Sequence, residues 1–143
     1  MNRRYVPSRT LLLHAAVVLL AAGATTSFST TPVRLAAPAA TAQDIQLQGP
    51  ATFRLGMHYG HELVAGSRWR PMGALAQGTV YRPLNQVFTL EGRRVDEAWP
   101  VIRNASLQGF FLPGEARFSP IRPVALALRR QAAGGTEVAM LSR

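Results

Sequence analysis

From residue 44 onward the apolar residues of this chain recur at every second position, in short runs separated by Gly, Pro and Asn, and no long helical pattern competes with them. Ile45 and Leu47 alternate with Gln46 and Gln48, and Gly49-Pro50 then supplies a turn. Phe53, Leu55, Met57, Tyr59, His61 and Leu63 share one parity, while Thr52, Arg54, Gly56, His58, Gly60 and Glu62 share the other. That alternation predicts a long strand with one apolar and one polar face, bent by its glycines. Further runs are GALAQGTVYRP (73–83), QVFTLEG (86–92), EAWPVIR (97–103), LQGFFLPG (107–114), VALALRR (124–130) and TEVAML (136–141).

In VALALRR, Val124, Leu126 and Leu128 face one way and Ala125, Ala127 and Arg129 the other, the pattern of a strand covered on one face. In GFFLP both parities are apolar, which places that strand near the middle of the fold. Asn104-Ala105-Ser106 separates two apolar runs at hairpin spacing, so a β-hairpin is expected there. Pro100 cannot donate to a ladder, and its arm is therefore expected at an edge or a bulge. The Arg-Pro pairs at Arg70-Pro71, Arg82-Pro83 and Arg122-Pro123 mark strand ends. The expected fold is all-β: a small antiparallel β-sandwich or partly open barrel of about 6–8 short strands.

The first residues look different. Arg3, Arg4 and Arg9 precede the apolar run LLLHAAVVLLAAGA (11–24), and no acidic residue occurs before Asp44. This is the layout of a secretory signal peptide over residues 1–24, or of an N-terminal anchor helix if it is retained. Small residues fit cleavage after Ala24 or after Ala42. Residues 25–43, rich in Thr, Ala and Pro, read as a flexible spacer before an all-β domain over 44–143.

Composition narrows the chemistry. There is no cysteine, which excludes disulfides, thiolate metal sites and cysteine nucleophiles. All 16 basic residues are Arg, and four of them lie before residue 44 while all seven acids lie from Asp44 on, so the exported part carries +5. The arginines are scattered rather than striped, and the absence of Lys reads most simply as a bias of the whole chain.

MHYGHEL (57–63) raises the question of a metal site. His58 and His61 differ in parity and point to opposite faces of an extended strand, and their order is that of no zincin motif. A solvated His beside two strand glycines is the plainer reading. On its own face, though, His58 would stand with Arg54 and Glu62 over bare glycine backbone that a partner can approach closely. Arg68, Trp69 and Arg70, Tyr81 with Arg82, and the charged turn bearing Arg93 and Arg94 complete the candidate interaction surface. Asp96 and Glu97 would diverge on a strand, and neither a Gly-x-Ser-x-Gly element nor a phosphate-binding glycine loop occurs.

These features lead to the expectation of an exported, non-enzymatic β-domain in the periplasm or cell envelope of a bacterium. It would act by contact with envelope proteins as an accessory of a secretion, transfer or surface assembly. No cofactor or metal is expected, nucleic acid is not expected as a partner, and membrane contact is expected only if the N-terminal segment is retained. The alternatives are a small envelope hydrolase using His58 or His61, and an arginine-based binder of an anionic lipid or polysaccharide.

Overall fold

The alternating apolar positions build a multi-strand antiparallel sheet in the computed structural model, which describes residues 28–56, 59–91 and 95–132. Those residues form twelve strands and no helix. They are β1 (Thr31–Pro32), β2 (Asp44–Leu47), β3 (Ala51–Leu55), β4 (Tyr59–Leu63), β5 (Arg68–Leu75) and β6 (Gly78–Pro83), then β7 (Thr89–Glu91), β8 (Val95–Glu97), β9 (Trp99–Arg103), β10 (Ser106–Leu112), β11 (Arg117–Ala125) and β12 (Leu128–Gln131). Eight pair in the order β1-β11-β10-β9-β6-β5-β2-β12, while β3-β4 and β7-β8 are separate hairpins. The expected signal or anchor helix and the TEVAML run lie outside the described residues.

The sheet curls strongly. Strands β11 and β12 stand six places apart in the order, which in a flat sheet would separate them by roughly 29 Å at about 4.8 Å per strand. Only Leu126 and Ala127 join them, and that link reaches about 11 Å at most. Hydrogen bonds hold this corner at both ends, from Leu126 N–H to the Ala105 carbonyl (2.8 Å) and from Gln48 N–H to the Ala127 carbonyl (2.7 Å).

Curling gives the sheet an inner face that carries the larger core. Ile45, Leu47, Trp69, Ile102, Leu107, Phe110 and Leu112 meet Ala51, Phe53, Leu55 and Leu63 of the β3-β4 hairpin there, with Leu90 and Ala98 from the β7-β8 side. Phe110 stacks on Phe88 at 5.2 Å and lies 4.9 Å from Phe53, spacings at which aromatic pairs add to simple area burial. The outer face has a smaller core of Val80, Val101, Phe111 and Phe118.

Two expectations hold. The Asn104 hairpin forms with a two-residue loop, since Arg103 pairs with Ser106, and both Asn104 and Ala105 adopt positive φ (50° and 55°), as a type I′ turn requires. Strand β10, inside the sheet, is buried on both parities from Gly109 to Leu112, as the GFFLP pattern implied.

Others need correction. The run from Phe53 to Leu63 is a hairpin rather than one bent strand: the chain reverses after Gly56 (φ 64°), and Leu55 pairs with Tyr59. Phe53 pairs with His61, so both keep the apolar parity that suggested continuity. VALALRR is split at the curl, where Val124 and Ala125 end β11 and Leu128 begins β12. Strand β9 lies inside the sheet rather than at its edge, but its ladder with β6 covers only Val101 and Ile102, so Pro100 falls beyond it, and the facing strand has the bulge expected as the alternative, where the β9-β10 ladder shifts register between Leu107 and Gly109.

Residues 30–36, within the segment 25–43 expected as a free spacer, lie against the outer face. Thr31 and Pro32 pair with Phe118 and Arg117, Ala36 exchanges two 3.0 Å hydrogen bonds with Ala74, and Arg117 donates to Thr30 Oγ1 at 2.7 Å. Val33 and Leu35 pack on the outer core. Gly73 is what lets this strap descend, because a Cβ there would lie 2.4 Å from Leu35 Cδ1 and 2.7 Å from the Ala36 carbonyl oxygen.

Candidate binding surfaces

The candidate residues separate into three places. On the β3-β4 hairpin, Ala51, Phe53, Leu55 and Leu63 point into the core, which leaves Thr52, Arg54, Gly60 and Glu62 on the solvent side. Thr52 faces Glu62 and Arg54 faces Gly60 across the ladder. Arg54 and Gly60 also line a shallow cavity of about 430 Å³ whose other wall is Arg122, Pro123 and Val124 of β11. A Cβ at Gly60 would meet nothing within 4 Å, so the backbone there is open to approach. Strand β4 pairs with β3 alone, and its second edge has no strand beside it among the described residues.

His61 sits on the other side of β4, half-buried, with its imidazole stacked on Phe53 at 5.3 Å and 14°. Among the described residues no three His, Cys, Asp or Glu side chains come together in a metal-binding group. His58, Arg93 and Arg94 lie outside the described residues.

The second place is the solvent side of β5 and β6. Arg70 makes two hydrogen bonds to Asp44, from Nε to Oδ1 at 3.2 Å and from Nη2 to Oδ2 at 3.0 Å, and this fork raises the guanidinium pKa further above its usual value. Arg68 Nε donates to Gln131 Oε1 at 3.1 Å, and Arg82 faces Arg70 across the ladder. Trp69 does not belong to this surface: it is 1% exposed and part of the inner core, because its parity is opposite to that of Arg68 and Arg70. Tyr81 likewise turns inward while Arg82 turns outward, so the aromatic and arginine residues adjacent in sequence stand on opposite sides of the sheet.

Tyr81 opens onto the third place. A stretch of the inner face forms a groove of about 530 Å³, reached from Thr79, Tyr81 and Ile102 on one side and Leu128 and Arg130 on the other. Among the described residues, neither the β3-β4 nor the β7-β8 hairpin contributes to its lining. Burial raises the pKa of the Tyr81 phenol, and the nearby Arg130 cation partly offsets that.

Sequence reasoning missed Arg122, Arg103 and Arg130. Arg130 did carry a signal, since it continues the apolar parity of Leu126 and Leu128, an unusual place for a cation. Arg122 and Arg103 carried none, because their placement depends on which strands neighbour them.

Comparison of the chain with protein-family models, with curated proteins and with solved structures found no match.

Proposed function

We propose that this chain is an exported, non-enzymatic domain of the bacterial cell envelope, a partly open β-barrel that works by protein contact as an accessory of a secretion, transfer or surface assembly. The barrel reading draws support from the two-residue link between β11 and β12, which forces the sheet round on itself.

The observation that carries the contact reading is the outer edge of β4. Alternate backbone N–H and C=O groups of a terminal strand point away from its neighbour and can accept an added strand, with main-chain bonds giving affinity and side chains giving selection. Soluble domains usually protect such edges with charge, proline or a covering loop. Strand β11 follows that rule, carrying Pro120 and Pro123 where β1 no longer covers it. Strand β4 has no proline, and it has Gly60 where a partner backbone can come close. The partner class is an extended segment of an envelope protein, read by Arg54 and Glu62 on the adjoining face.

The chain has no cysteine, so single cysteines report position without background. Cross-linking in intact cells from Glu62→Cys should give one protein adduct of defined mass. Gly114→Cys, in the exposed β10-β11 turn, should not give it. Equal adducts from both positions, or none from Glu62→Cys, would argue against the edge as a contact site.

A further inference from the structure

We propose that the groove on the inner face is a binding site for a small, partly apolar organic molecule bearing an oxyanion, either a phosphate monoester or a carboxylate. This site is separate from the β4 edge and does not depend on it.

A concavity of about 530 Å³ falls within the roughly 300–1,000 Å³ usual for small-molecule sites, and the mouth of a curled sheet is a common location for one. A smaller cavity of about 190 Å³ continues it, walled by Thr41 and Gln43 of the segment leading into β2, and shares Ile45, Thr79, Tyr81 and Arg130 with it. Tyr81 and Arg130 are therefore among the four side chains that stand where the cavities join.

The lining then selects the ligand. Ile45, Ile102 and Leu128 supply an apolar floor, while Thr79, Tyr81 and Asn104 supply polar groups. Two arginines, Arg103 and Arg130, complete the wall, and among the described residues no acidic side chain lines either cavity. The one carboxylate–arginine pair within 4.0 Å among the described residues is Arg70–Asp44, on the other face of the sheet. Arg103 gives one N–H to the Ala76 carbonyl, leaving further donors of its guanidinium for a ligand.

Arg130 is the decisive residue. Its register opposite Ile45 puts it on the apolar parity of β12, and its charge acts on the Tyr81 phenol. A guanidinium on a partly apolar concave wall without a carboxylate lacks the planar, bidentate partner that an oxyanion provides. The phenol beside it would donate to the same oxyanion, and the apolar floor would take the body of the ligand.

The test is an NMR titration of the ¹⁵N-labelled full chain with phenyl phosphate, benzoate and uncharged benzyl alcohol at constant ionic strength. Saturable amide shifts at Thr79, Tyr81, Asn104 and Arg130 are expected with at least one of the two anions, and the tighter anion names the group. Benzyl alcohol should leave these amides unmoved. Arg130→Ala should weaken binding by about tenfold or more, as loss of a charge-assisted contact does. Arg82→Ala, on the opposite face, should leave it unchanged. Shifts scattered elsewhere, equal response to benzyl alcohol, or unaltered affinity in Arg130→Ala would overturn the assignment.

Discussion

Replacing Gly73 with Ala distinguishes a structural strap from a free tether by the sign of its effect on stability. If residues 28–43 were an unattached tether, Gly73→Ala would be neutral, or would stabilise by about 0.4–1 kcal/mol through the unfolded chain. In the structure the new methyl would lie 2.4 Å from Leu35 Cδ1 and Cγ and 2.7 Å from the Ala36 carbonyl oxygen. A leucine tip can rotate away, but the Ala36 oxygen is backbone that accepts from Ala74 N–H at 3.0 Å. Relief therefore requires the strap to lift, which loses both Ala36–Ala74 hydrogen bonds at about 0.5–1.5 kcal/mol each. Leu35, half-buried on Val80, Val101, Phe111 and Phe118, would give up part of the 2–5 kcal/mol that a fully buried leucine carries, about 1–2 kcal/mol. The expected destabilisation is about 2–5 kcal/mol. Urea unfolding followed by tryptophan fluorescence reads it as a lower midpoint at unchanged slope. Leu35→Ala should cost less once Gly73→Ala is present, because both act on one contact. An unchanged or raised midpoint in Gly73→Ala would refute the strap.

Ala105→Gly should stabilise the β9-β10 hairpin by about 1 kcal/mol, because a Cβ at positive φ is strained in the type I′ turn; thermal melting measures it. Ser119→Ala should raise stability by about 1 kcal/mol, since the fully buried Ser119 hydroxyl finds no hydrogen-bond partner among the described residues; a fall in the urea midpoint would count against that reading. The folded state holds the Tyr81 pKa above the ordinary value of 10.0, so its contribution is complete below the unfolded pKa and is lost as pH rises through the folded one. Tyr81→Phe should make the decline of stability in strong alkali shallower than in the parent.

Where the core lies on one side of a strand, the period-two pattern was readable. It located β2, the core-facing residues of β3, and the double-sided burial of β10, and Asn104 with its neighbour marked a true turn. Turn chemistry failed where the turn lacks its usual residues: Ala76-Gln77 joins β5 to β6 with no Gly, Pro or Asn in the loop, so the run from Gly73 to Pro83 looked continuous. Strand β11 was hidden by Pro120 and Pro123, which are tolerated because its second edge is paired only at Phe118 and Arg117. The strap was hidden for a different reason. Val33 and Leu35 are two apolar residues in a Thr-, Ala- and Pro-rich stretch, and what orders them is a glycine some forty positions away.

The candidate surface was legible in part. Arg54 and Glu62 do share the solvent side of one hairpin, because alternation survives the turn between β3 and β4. Trp69 could not be placed from its arginine neighbours, since adjacent residues of a strand face opposite ways. Arg103 and Arg122 reach their cavities through long-range strand order, which no local pattern encodes.

Strand addition at β4 is tested most directly by amide hydrogen exchange on the purified chain, alone and with the protein captured through Glu62→Cys. The account predicts that alternate amides of Tyr59–Leu63 become strongly protected on complex formation, as main-chain pairing requires, while β11 and β12 stay as they were. Protection confined to other strands, or a complex that leaves the β4 amides exchanging at their free rate, would contradict it.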